Sequence, residues 1–232
     1  MSALTIIQKA CSRLAITVPG AVFSSTDDQV IQLRHLMNQE GDELTRMHPW
    51  TALQTETTFV TVAAALQTSA IPSDFAWYIN DTMWNRTTDQ KILGPFTAAQ
   101  WQQEQAVATG AIYPTFRFRG GEILITPTPT AGQTVAYEYV SANWAETSGG
   151  SGLSAMTADT DVPLLDDRLI ILGITWRFLQ SKGLDYAEAF RTYQLECGKA
   201  ISRDGGRKSF YIGGASFTPY YYANIPDGSW NQ

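Results

Sequence analysis

Two cysteines and two histidines are all that 232 residues offer for thiol or imidazole chemistry. Cys11 and Cys197 stand near opposite ends of the chain, each at an apolar-patterned position of a predicted helix, where a free thiol serves as a small core hydrophobe. They make no disulfide framework. His35 and His48 have no ligand spacing around them, so no zinc site is expected. Neither a phosphate-cradling glycine loop with its lysine nor a dinucleotide fingerprint occurs, and no Gly-x-Ser-x-Gly elbow presents a serine nucleophile. No cofactor is therefore expected. Charge is also scarce: 16% of residues are Asp, Glu, Lys or Arg, with a formal net charge of -6 and no basic run. The electrostatic footprint of a protein that grips phosphates is missing. Lean charge suits a chain that hides surface in an assembly. Nothing approaches the roughly 20 consecutive apolar residues of a membrane span. The opening MSALTIIQKACSRLAI lacks the apolar block and small-residue cleavage site of a secretory signal, so maturation in the cytoplasm is expected.

What is present begins with helical periodicity. Leu4, Ile7, Cys11 and Leu14 recur at helical spacing until Val18-Pro19-Gly20. Ser24 to Asp28 supply cap candidates and first-turn acids for a second helix, with Val30, Leu33, Met37, Glu40 and Leu44 on its stripe. His48-Pro49 closes it, because a residue before proline is pushed out of the helical region. From Trp50 to about Trp144 the pattern becomes alternation rich in β-branched and aromatic residues. Thr115–Arg119, Gly120-Gly121 and Glu122–Ile125 spell a hairpin with glycines at the turn. Residues 134–140 form another strand, and 97–104 a short capped helix between strands. Glycine- and serine-rich residues 146–160 form a flexible connection. Leu165, Leu169, Leu172, Trp176 and Leu179 then mark one helical face that ends at Gly183, and Asp185 with Glu188 suits a capping box for a last helix carrying Tyr193, Cys197 and Ala200.

Each amphipathic stripe needs a partner, so the expected fold is α+β. Residues 1–49 and 161–204 form a helical bundle from both chain ends, residues 50–145 an inserted antiparallel β domain, and 205–232 an extended arm. Glycine pairs and prolines forbid a long helix in that last segment, yet it holds Phe210, Tyr211, Phe217, Tyr220, Tyr221, Tyr222 and Trp230 after Arg207 and Lys208. A solvated tail is poor in aromatics, and large rings carry much of the energy at interfaces. These nine residues are the expected partner-docking set; the alternative is that the segment packs on its own domain.

Other candidates have simpler explanations. The carboxylate clusters Asp27/Asp28, Glu40/Glu43 and Asp166/Asp167 have the composition of a glycan-cleaving pair, but most stand at helix starts, where capping and the helix dipole account for them. Trp77, Trp84 and Trp101 have the shape to stack on sugar rings, which defines an alternative reading as a host-glycan-binding module; a peptidoglycan-degrading enzyme using a carboxylate pair is a third. Asn85-Arg86-Thr87 matches a glycosylation acceptor that means little without a secretory signal.

Several segments together resemble the head-to-tail adaptor (connector) proteins of tailed bacteriophages, the family that includes tail tubular protein A. They are Asp27-Asp28-Gln29-Val30, Met47-His48-Pro49-Trp50, Ile79 to Trp84, Leu93-Gly94-Pro95 before Trp101, Phe116 to Gly121, Leu172-Gly173 to Arg177, and Lys182 to Glu188. The resemblance implies a non-enzymatic virion protein whose helical domain packs side by side into a homo-oligomeric ring, commonly of twelve copies, against the portal protein. It implies that the β domain faces the tail nozzle or tail tube protein, that the C-terminal segment reaches into the portal, and that DNA passes through the channel without specific binding. An acidic subunit suits a channel along which DNA slides.

Overall fold

The computed structural model describes residues 1–106 and 113–205. Helix α1 (Ala3–Leu14) is capped by Ser2 and α2 (Asp28–Met47) by Asp27. A 3-10 turn at Thr51–Leu53 leads into β1 (Gln54–Val60), and β2 (Leu66–Gln67), β3 (Phe75–Tyr78), β4 (Trp84–Asn85) and β5 (Gln90–Lys91) follow. After α3 (Ala98–Ala106) come the hairpin strands β6 (Thr115–Arg119) and β7 (Glu122–Thr126), then β8 (Thr134–Ser141). Three short strands, β9 (Ala145–Glu146), β10 (Gly152–Leu153) and β11 (Val162–Pro163), precede α4 (Asp167–Ser181) and α5 (Ala187–Arg203). The fold is α+β, with helices from both ends of the chain packed together and antiparallel sheets between them in sequence.

The helical core differs from the expected picture in its centre. Helix α4 does not show a single face: every residue from Leu169 to Phe178 is buried. The cause is that α1, α2 and α5 all pack on α4, each bringing the apolar stripe that the sequence displayed. Two glycines permit close approach. A Cβ on Gly41 would lie 2.3 Å from the Trp144 indole, and one on Gly173 would lie 2.1 Å from the Glu40 carboxyl carbon.

The second core lies between the sheet ordered β1-β8-β4-β5, with β3 also on β8, and the sheet β2-β7-β6. Strand β8 alternates accordingly: Val135, Tyr137 and Tyr139 point into this core, while Val140 and the following Trp144 belong to the helical one. Strand β1 leaves α2 and β8 returns beside it in register, from Gln54 opposite Val140 to Val60 opposite Thr134. The chain therefore departs from and re-enters the helical core at one place.

Two local readings change. The stretch 146–160, expected as a flexible connection, is tied down: β9 pairs with β10 and β11, and Met156 is buried and exchanges two backbone hydrogen bonds with the Asn38 amide at 3.0 and 3.2 Å. The Asp161 carboxylate accepts the Thr157 and Ala158 N–H groups, and Asp159 accepts those of Val22 and Phe23. Carboxylates and amides order this segment, so it shows no hydrophobic period. At α5 no capping box forms; Asp185 accepts the Ala187 N–H at 3.0 Å, while Glu188 lies 3.8 Å from Arg191 on the surface.

Candidate assembly surfaces

Helix α5 ends where α2 ends, and one carboxylate joins them. Asp204 Oδ1 accepts the Thr51 hydroxyl at 2.6 Å, Oδ2 accepts the Thr51 N–H at 3.0 Å, and His48 Nε2 lies 3.0 Å from Oδ2. Partial burial acts to raise the Asp204 pKa, but the Thr51 and His48 contacts outweigh it and hold the carboxyl below its ordinary value. Next to this clamp Trp50 Nε1 donates to the Leu44 carbonyl at 2.7 Å, covering an acceptor that the end of α2 leaves unpaired. The clamp holds the end of α5 against the turn that leads into β1. The residues expected to dock, Arg207, Lys208, Phe210, Tyr211, Phe217, Tyr220, Tyr221, Tyr222 and Trp230, all lie outside the described residues.

Deeper in the bundle, Arg177 of α4 donates through Nε to Glu40 at 2.8 Å and through Nη2 to Glu43, both on α2. Burial raises the Glu40 pKa against the pull of Tyr193 and Arg177. The same desolvation, with the Glu40 charge second, pushes the Tyr193 hydroxyl up. Although Tyr193 acts on Glu40, neither the Tyr193 hydroxyl nor Glu40 Oε1 has a partner in hydrogen-bonding geometry, and both are buried. This tie joins α4 to α2, with Tyr193 of α5 packed beside it.

The family model for the SU10 adaptor protein matches residues 1–215. The chain belongs to the SU10 adaptor protein family, a family of phage head-to-tail adaptors. The match spans both cores and reaches into the segment beyond the Asp204 clamp. No curated protein matches the chain.

The remaining candidates of this adaptor fall to defined places. Asp27 and Asp166 cap α2 and α4, accepting the Gln29 and Arg168 N–H groups at 2.7 and 2.9 Å. Glu40 and Glu43 are spent on Arg177. Among the described residues, no group of three or more His, Cys, Asp or Glu could hold a metal ion, and no helix is long and apolar enough to cross a membrane. Asn85 is buried; its amide donates to Gln133 and accepts the Thr87 and Thr88 N–H groups. Trp101 is 4% exposed and out of reach of a sugar, whereas Trp77 and Trp84 are 37% and 36% exposed and stand opposite Val140 and Ala136 of β8. On the bundle, Leu195 of α5 is 57% exposed in a shallow depression with Gly198, Lys199, Ser202 and Arg203.

The sequence reading missed the Asp204 clamp and the Arg177 tie. Its one signal for the first was His48 before Pro49, read there only as a helix stop. For the second it was Glu40 on an otherwise apolar stripe.

Proposed function

We propose that this adaptor is a structural, non-catalytic virion protein that closes into a ring, of twelve copies by resemblance, at the head-to-tail junction. The ring joins the portal protein to the tail nozzle or tail tube protein and continues the DNA channel without specific DNA binding; the protein is made in the infected bacterial cytoplasm. The observation that carries this reading is the family match across residues 1–215. The Asp204–Thr51 bonds support this reading, because they hold the end of α5 in one place, and in it Phe210 through Trp230 serve as the portal anchor. Large rings on an extended segment gain their binding energy when they order against a partner.

Cosedimentation with purified portal rings tests it. The full-length chain is expected to pellet with the rings, and a chain ending at Gly205, which keeps the clamp, is expected to stay in the supernatant. Binding by both chains would move docking to the helical domain. Binding by neither would remove the portal reading.

A further inference from the structure

Strand β1 is the end strand of its sheet. Thr61 donates its N–H to the Gln133 carbonyl at 2.8 Å and accepts the Gly132 N–H at 2.9 Å, both on the β8 side. Backbone groups of an extended chain alternate in direction, so Phe59, Thr57 and Thr55 face β8, while Val60, Thr58 and Glu56 face away. The bonds on the far flank of β8 agree, since Thr134 and Glu138 accept the Arg86 and Ile79 N–H groups there. At both ends of β1 the outward side is already used: the Gln54 N–H goes to the Thr51 carbonyl, and the Val62 N–H goes to Gln67 Oε1 at 2.9 Å. Between them the N–H and C=O groups of Glu56, Thr58 and Val60 have no partner among the described residues.

Natural edge strands are blunted by charged side chains, above all lysine, and by proline, bulges or shortness. The opposite edge of this sheet obeys the rule, because β5 is two residues long and includes Lys91. Strand β1 obeys it only through Glu56, whose charge is taken up by Arg86: its seven residues pair without a bulge and include no proline or lysine, and Val60 is 62% exposed.

A strand-forming segment starts beside this edge. Asp204 is bonded to Thr51, three residues before β1, and a Cβ on Gly205 would sit 3.6 Å from Thr51 Cγ2. Beyond Gly205-Gly206 and Arg207, the sequence reads Lys208-Ser209-Phe210-Tyr211-Ile212 and then Gly213-Gly214. Aromatic and β-branched residues favour a strand, and glycines bound it. Five residues extend about 17 Å, the length of the open stretch from Glu56 to Val60.

We propose that residues 208–212 add to the open edge of β1 in the same chain, running in the same direction as β1 because they enter at its Gln54 end. The added strand gives Glu56, Thr58 and Val60 their backbone partners and closes an edge that would otherwise template aggregation. This takes Phe210 and Tyr211 out of the proposed portal anchor and leaves Phe217 through Trp230 for docking; the strand addition itself does not rest on the portal reading.

Amide hydrogen exchange by NMR on the full-length chain tests it without any partner. The Glu56, Thr58, Val60, Phe210 and Ile212 amides are expected to exchange at least about tenfold more slowly than unstructured amides, independently of protein concentration. Thr58→Pro removes the central outward N–H; proline is tolerated on an edge, and this chain is expected to lose protection at 208–212 and to be cut by trypsin after Arg207 and Lys208 about tenfold faster. Val60→Pro repeats the test at the other end of the open stretch, should Thr58→Pro fail to fold. Free exchange of Glu56, Thr58 and Val60 in the unaltered chain would overturn the proposal. Protection that grows with protein concentration would overturn it too, by assigning the edge to a neighbouring copy.

Discussion

The two cores of this adaptor treat buried polar groups in opposite ways. In the β core the hydroxyls are satisfied: Tyr137 donates to the Ala70 carbonyl at 2.7 Å, Tyr139 donates to Asp74 at 2.9 Å, and the Tyr78 oxygen accepts the Thr82 and Met83 N–H groups. Burial, then the Asp74 carboxylate, pushes the Tyr139 hydroxyl up to about 12, so it stays a donor throughout the ordinary pH range. The helical core instead buries charge, with Arg177 between Glu40 and Glu43, and leaves Glu40 Oε1, Tyr193 OH and Trp176 Nε1 without partners. A satisfied hydrogen-bond network adds rigidity, whereas a buried ion pair fixes how helices meet at the cost of desolvation. The difference suits the two regions: the sheets carry rings whose hydroxyls find nearby backbone or Asp74, while the helical core uses charge to set which faces of α2 and α4 meet.

The largest effect expected from breaking this contrast is in the helical core. Arg177→Met leaves Glu40 buried without its countercharge and should cost about 3–5 kcal/mol in urea unfolding. Adding Glu40→Leu should recover most of that loss, since removing both charges removes the desolvation penalty as well. If the double substitution is as unstable as the single one, the tie contributes through packing and not through charge. In the β core, Tyr137→Phe keeps the ring and removes only the hydroxyl from the Ala70 carbonyl. The expected cost is about 1–2 kcal/mol, read in the same assay. A loss equal to that of Arg177→Met would erase the difference between the cores.

Much of this architecture is legible in the sequence, for reasons that vary by element. Helix α2 announces itself through Asp27, its stripe and His48-Pro49, and the β6–β7 hairpin through Gly120-Gly121, both with φ above +60°. These signals are local. Helix α4 was visible as a helix but not as the hub, because burial on all sides depends on three partners remote in sequence, and periodicity in one segment cannot report that. The region 146–160 looked unstructured because Asn38, Asp159 and Asp161 hold it through polar groups, which leave no hydrophobic period. The tryptophans divide for a similar reason: Trp101 faces inward from α3 and Trp77 and Trp84 stand half-exposed on the sheet, a distinction set by tertiary packing. At the candidate docking region, aromatic enrichment after Gly205 was plain, but its anchoring was not, since Asp204, Thr51 and His48 meet only in the fold.

That anchor belongs to neither core, and it allows the smallest of the three stability tests. Because the Asp204 carboxyl is held below the ordinary value of 3.8, the clamp stabilises the fold fully above the unfolded value and loses its contribution as pH falls through the folded one. Asp204→Asn has no such titration. Its unfolding midpoint should fall less steeply than that of the unaltered chain as pH drops below about 3.8, and the two chains should differ most at neutral pH. The stability loss should stay below that of Tyr137→Phe, because Asp204 joins the ends of two helices at the margin of the bundle, where water can replace part of what is removed. If the two chains follow parallel curves through the acid range, the carboxylate charge is not what secures the end of α5 against Thr51.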